Sequence, residues 1–217
     1  MKKKIAILGS TGSIGKILLN IIKKNKKNFN IILLTAHGDH KTLFDQAKKY
    51  GVKNLIITNE SSYKILKNKC KKKKINVYKN FNVFNKIFKN KVDYTMNSIV
   101  GFAGLYPTLQ IIKFTKQIAI ANKESIICGW NLIKKKSILH KTKIIPIDSE
   151  HFSIWKLLNE FEINSPVDLN KSIQNLLITA SGGPFRNTPL KNFKKIKINK
   201  AIKPPTCKMG KKISIDS

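Results

Sequence analysis

Residues 4–15 read KIAILGSTGSIG, and residues 16–27 continue as KILLNIIKKNKK. A short apolar run meets a glycine turn, and apolar residues then recur at helical spacing. The order is strand, turn, helix. Gly9 permits the tight turn, Gly12 lets backbone approach a phosphate, and Gly15 allows close packing of helix on strand. The first N–H groups of the helix and its dipole then face an anion. The spacing is G-x-x-G-x-x-G, a variant of the dinucleotide fingerprint. Its place directly after a strand and before a helix is the context that gives such a motif meaning.

The same alternation carries on down the chain. Strands are expected at 31–34, 54–58, 75–78, 93–100 and 118–121, with helices at 61–73, 83–88 and 122–136 and a glycine turn and helix over 101–114. This rhythm means an α/β fold with a parallel, doubly wound, Rossmann-like sheet and ligands at the carboxyl ends of the strands. The strand at 31–34 ends in TAHGDHK. Asp39 there suits ribose hydroxyls, whereas His37, His40 and Lys41 suit a 2′-phosphate, and the sequence leaves both open. Asn122, Lys123 and Glu124 follow a strand directly and so fall on the ligand edge. Asn122 reads either as a hydrogen-bond partner for a cofactor or as a helix N-cap, and Lys123 as a cation for phosphate or substrate.

A second stretch, IIPIDSEH at 144–151, ends an apolar run in two carboxylates. If the segment stays extended, Asp148 and Glu150 share one face and converge on an oxygen-preferring ion such as Mg2+ or Mn2+. A solvated strand end or a helix N-cap is the plainer alternative. Beyond it the pattern changes: an amphipathic helix (FSIWKLLNEFEI), a loop, a strand (IQNLLITA at 173–180), the SGGPF loop at 181–185, and a lysine-rich helix or loop. These shifts place a domain boundary near residue 148, giving a nucleotide-binding domain at 1–148 and an incomplete α+β catalytic domain at 149–217.

Composition narrows the function further. With 217 residues and 41% apolar content, the chain can bury a sizeable core, and no apolar run is long enough to span a bilayer. Cys70, Cys128 and Cys207 form no paired framework, which fits a reducing cytoplasm. The formal charge is +32, yet Arg186 is the sole arginine among 43 basic residues. Nucleic-acid readers want arginine forks and stacked aromatics, so lysine spread evenly over the chain reads as coding drift toward A/T-rich codons, not as a specific nucleic-acid site.

Taken together, GSTGSIG, SIVGFAGLYPTL, ANKES, PIDSEH, SGGPF and MGKKISIDS resemble 1-deoxy-D-xylulose 5-phosphate reductoisomerase, in that family's order. The resemblance implies an NADPH-dependent oxidoreductase of non-mevalonate isoprenoid biosynthesis, using Mn2+ or Mg2+ and a small phosphorylated sugar, in a family usually homodimeric. It implies NADPH binding by Thr11, Gly12, Ser13, Ile14, Asn122, Glu124 and Gly210. Asp148 and Glu150 would be two of three metal ligands. Lys123, Ser149, Glu150, Ser181 and Ser217 would bind substrate, with Lys123 and Glu150 catalytic. Three departures stand out. Pro204 and Cys207 occupy the family's histidine- and tryptophan-bearing loop, and His37, Gly38 and Asp39 replace its glycine, lysine and asparagine. The family's third metal-binding glutamate lies beyond ISIDS. On this reading the chain alone falls short of full activity, and a cofactor-binding remnant without turnover is the alternative.

Overall fold

A computed structural model of the chain describes residues 1–160, 173–177 and 183–202. Two compact units divide it, Met1–Asp148 and Ser149–Ser217. The first is built on a seven-stranded sheet of order β4-β3-β2-β1-β5-β6-β7. Its strands are β1 (Lys3–Leu8), β2 (Phe29–Ala36), β3 (Asn54–Ile57), β4 (Asn76–Tyr78), β5 (Tyr94–Asn97), β6 (Gln117–Ile120) and β7 (Lys143–Pro146). Every neighbouring pair is parallel. Helices α1 (Ser13–Lys24), α2 (His40–Tyr50), α3 (Glu60–Cys70), α4 (Phe84–Ile87), α5 (Leu105–Ile111) and α6 (Lys123–Leu139) alternate with them.

Both faces of the sheet are covered, because successive side chains of a strand point opposite ways. Ile5 and Ile7 of β1 pack with Leu19 and Ile22 of α1, Leu43 of α2 and Leu66 of α3. Ala6 and Leu8 enter the other core, with Phe84, Leu105, Ile111 and Ile133 of the helices on that side. Strands buried on both faces read as continuous apolar runs, as KIAIL and IILL do. The connections reverse direction between the neighbouring strands β1 and β5, and crevices at such a switch point are where ligands bind.

The second unit opens with α7 (Ser149–Glu160), on which the rings of Phe152 and Trp155 lie 5.8 Å apart. A 3-10 turn, Leu190–Lys195, and a short helix, Ile198–Ala201, follow.

The structure departs from the expected elements in three places. The strand expected at 93–100 stops at Asn97, because the Asn97 side chain accepts the Ile99 N–H at 3.1 Å and turns the chain out of the sheet. Residues 173–177, expected in a strand, carry none, and 178–180 lie outside the described residues. The extended segment expected to carry Asp148 and Glu150 on one face ends at Pro146, and α7 begins at Ser149. Glu150 sits in the first turn of α7, where the helix dipole favours a negative charge.

The glycine turn is held by backbone-to-backbone packing. Gly9 has φ +80°, and a Cβ there would lie 2.9 Å from the Ser98 carbonyl oxygen. At Gly15 a Cβ would lie 2.5 Å from the Gly9 oxygen and 2.6 Å from Ser10 Cα, so the first turn of α1 closes directly on the glycine turn that ends the strand. Gly12 differs, since its Cβ would meet only the Gly9 oxygen at an ordinary 3.5 Å. Gly15→Ala is therefore expected to destabilise the protein by about 1–3 kcal/mol through overpacking, whereas Gly12→Ala leaves the melting temperature nearly unchanged. Thermal denaturation followed by circular dichroism checks this, and equal melting temperatures for both variants would contradict it.

Candidate functional site

At the carboxyl ends of β1, β2, β3 and β5 lies a cavity of about 480 Å3, lined by Gly9, Thr11, Gly12, Thr35, His37 and Ser98 among others. Its walls are stitched together by backbone groups and short side-chain hydroxyls. Gly9 N donates to Thr35 Oγ1 at 2.9 Å, and Ser98 Oγ donates to the Leu8 carbonyl at 2.8 Å. Gly12 is the N-cap of α1, and no side chain caps that helix end. No acidic residue stands in its first turn either. The orphan N–H groups of a twelve-residue helix and its positive dipole end are thus left for an external anion.

The loop after β2 has settled commitments. His37 Nδ1 lies 2.8 Å from Thr58 Oγ1, tying this loop to the end of β3. Asp39 caps α2, accepting the Thr42 N–H at 3.0 Å. Burial pushes the Asp39 carboxyl up, but the hydrogen bonds from Thr42 and the charges of Lys16 and His40 outweigh it and hold it below its ordinary range. Of the two sequence readings of this loop, the acidic residue is the one engaged by its own helix.

The loop after β5 is organised by asparagines. Asn97 Nδ2 donates to the Gly104 carbonyl at 3.1 Å and also to the Thr108 hydroxyl. Asn122 occupies the N-cap position of α6, yet its side chain makes no capping bond there. Its Nδ2 instead donates to the Ile99 carbonyl at 2.6 Å, joining the loops after β5 and β6. Asn122 is 4% exposed, and its Oδ1 is buried without a hydrogen-bond partner. Lys123 begins α6, and its Nζ lies 3.9 Å from Asp148 Oδ2, a carboxylate only 10% exposed. Glu124 is half-buried in the first turn of α6.

Thr11 and Gly12 therefore line the cavity, and Ser13 and Ile14 are the first two residues of α1. Asn122 touches Ile99, itself a cavity residue, while Lys123 pairs with Asp148. Ser149 and Glu150 stand at the start of α7, in the second unit. Ser181, Pro204, Cys207, Gly210 and Ser217 lie outside the described residues, as does the loop at 165–172. No group of three or more His, Cys, Asp or Glu side chains suited to a metal occurs among the described residues. The sequence reading passed over Thr35, Thr58, Phe81, Ser98, Val100 and Ala103 as cavity residues. Thr58, Phe81, Ser98, Val100 and Ala103 follow strand ends and Thr35 lies near the end of β2, so position at a strand's carboxyl end is the signal that could have found them.

Comparison with known proteins agrees with this architecture. A sequence model of 1-deoxy-D-xylulose 5-phosphate reductoisomerase matches residues 5–129, and a model of that enzyme's C-terminal domain matches residues 144–217. The chain belongs to the 1-deoxy-D-xylulose 5-phosphate reductoisomerase family. It is 55% identical over 217 residues to the reductoisomerase of Pelagibacter ubique, covering 99% of this chain and 54% of that protein. The Zymomonas mobilis reductoisomerase, solved in complex with NADPH, superposes with a TM-score of 0.82 at 33% identity over 100% of this chain and 54% of that one. Another reductoisomerase, solved with NADPH, fosmidomycin and magnesium, gives a TM-score of 0.80 at 30% identity, over 99% of this chain and 54% of that one. The chain thus spans about half the length of the reductoisomerases it matches. No helix among the described residues is long and apolar enough to cross a membrane.

The tie between Asn122 and Ile99 is testable. Asn122→Ala removes one hydrogen bond, worth about 0.5–1.5 kcal/mol. Asn122→Asp does more harm, because it sets a carboxylate oxygen against the Ile99 carbonyl. The expected order of melting temperatures is wild type, then Ala, then Asp. An aspartate variant as stable as the alanine one would remove the tie.

Proposed function

We propose that residues 1–148 form the NADPH domain, and 149–217 the start of the catalytic domain, of a divalent-metal-dependent reductoisomerase. Its reaction is the isomerisation and reduction of 1-deoxy-D-xylulose 5-phosphate to 2-C-methyl-D-erythritol 4-phosphate. The observation that carries this reading is the uncapped N-terminus of α1 opening on a cavity at the sheet's switch point, beside a glycine that protein packing does not require. The NADPH complex of the Zymomonas mobilis relative supports the choice of dinucleotide.

In this reading the backbone of Thr11, Gly12, Ser13 and Ile14 receives the pyrophosphate, and the helix dipole offsets its charge. Asn122 and Glu124, with Gly210, complete the cofactor's surroundings, and the unpartnered Asn122 Oδ1 is an acceptor awaiting a donor. The residues fit a hard cation as far as they go: Asp148 and Glu150 are oxygen donors, and the magnesium complex of a relative supports that ion class. When bound, the nicotinamide supplies a hydride and the metal a Lewis acid. Lys123, held near Asp148, lends positive charge where a phosphorylated substrate's oxygens gather. Ser149, Ser181 and Ser217 hydrogen-bond that substrate, and Lys123 and Glu150 act on the reacting centre.

Two expectations test these roles. Asp148→Asn and Glu150→Gln each reduce a hard-cation site by one charge and are expected to weaken Mn2+ binding about tenfold or more. NADPH affinity should stay near wild type. Electron paramagnetic resonance of free Mn2+ reads the first and fluorescence titration the second; unchanged Mn2+ affinity in both variants would remove the metal assignment. Asp39→Asn keeps a good N-cap but deletes a negative charge from the loop that reads the 2′ position. It is expected to raise the preference for NADPH over NADH, and an unchanged ratio of dissociation constants would contradict that.

A further inference from the structure

Outside the cavity, one buried polar cluster has no part in the reading above. Gln46, on α2, reaches across to Ser10 in the glycine turn. Its Oε1 accepts the Ser10 hydroxyl at 2.7 Å, and its Nε2 donates to the Ser10 carbonyl at 2.9 Å. Ser10 is fully buried and Gln46 nearly so. Ser10 also donates its backbone N–H to the Thr35 carbonyl at 2.8 Å, and Gly15 of α1 presses on its Cα. One residue of the turn is thus gripped from β2, α1 and α2 together. Both ends of the Gln46 amide are used on that single residue, so the amide has one orientation that satisfies it.

The consequence lies in the next peptide. No described peptide bond is cis, and in a planar trans peptide the C=O and the following N–H point in opposite directions. By drawing the Ser10 carbonyl toward α2, Gln46 turns the Thr11 N–H the other way, and Thr11 lines the cavity. We infer that Gln46 is a positioning residue for dinucleotide binding: it fixes the Ser10–Thr11 peptide so that the Thr11 N–H is presented to the pyrophosphate. This rests on the cofactor reading above. Donors set in advance bind an anion without first paying the ordering entropy, so loosening this peptide weakens binding even where the fold survives.

The test uses the purified protein, NADPH as the probe, and two variants. Gln46→Met keeps length and removes both hydrogen bonds. Gln46→Glu keeps an acceptor for the Ser10 hydroxyl and loses the donor to the Ser10 carbonyl. Each is expected to raise the NADPH dissociation constant roughly tenfold, the size of effect that follows from leaving one buried carbonyl unsatisfied. A second readout separates positioning from mere stability. In 15N-labelled wild-type protein the Thr11 amide proton is expected to move downfield on saturation with NADPH, and in either variant that shift is lost at saturation. Ser10→Ala, which keeps the carbonyl bond to Gln46, retains it. If Gln46→Met does not fold, Gln46→Glu is read alone. Wild-type affinity in the variants, or a preserved Thr11 shift, overturns the inference while leaving the cofactor reading intact. Failure of the wild-type protein to bind NADPH overturns both.

Discussion

The backbone approach at the end of β1 constrains everything around it. Gly9, in the left-handed region, sits where a Cβ would strike the Ser98 carbonyl, and Gly15 sits where a Cβ would strike Gly9 and Ser10. These two contacts bring the loop after β5 and the first turn of α1 against the same short turn. The switch-point cavity exists because that turn is so thin. Ser98 and Thr35 then fasten it with hydrogen bonds to Leu8 and Gly9, so its rim is backbone held by backbone and short hydroxyls. A rim of that kind changes little on binding, and this pre-organisation is what an anion site needs.

Charge is distributed with the same economy. Only eleven acidic residues occur in the chain. None of them stands in the first turn of α1. Asp39 caps α2, and Asp93 accepts from Lys116 and from the Lys4 N–H, both at 2.8 Å, which holds its carboxyl below the ordinary range. Asp148 is largely buried beside Lys123. The lysine excess lies over a scaffold in which Asp39, Asp93 and Asp148 are engaged by protein partners, and the helix end that faces the cavity from β1 is left positive.

Much of this was legible in the sequence. Strands buried on both faces write themselves as KIAIL and IILL, and glycine turns punctuate them, so the parallel doubly wound sheet could be read directly. The tight turn at Gly9, with its positive φ, could also be read, because a turn of that kind is a local demand. What could not be read depended on partners distant in sequence. That Asn122 would bond Ile99 instead of capping α6, and that Gln46 would grip Ser10 thirty-six residues away, are facts of tertiary packing. The stretch IIPIDSEH misled for a different reason: an apolar run ending in carboxylates fits a strand end and a helix start equally well, and Ser149 and Glu150 went to the helix.

On the proposed function, the α1 N-terminus and the loops beside it form a dinucleotide site. The most direct measurement is hydrogen–deuterium exchange of the protein with and without saturating NADPH. Protection is expected in the segment containing residues 9–16 and in the loop at 98–104, with little change at the opposite edge of the sheet. Exchange at 9–16 that NADPH leaves unaltered, or protection confined to other segments, would contradict the account.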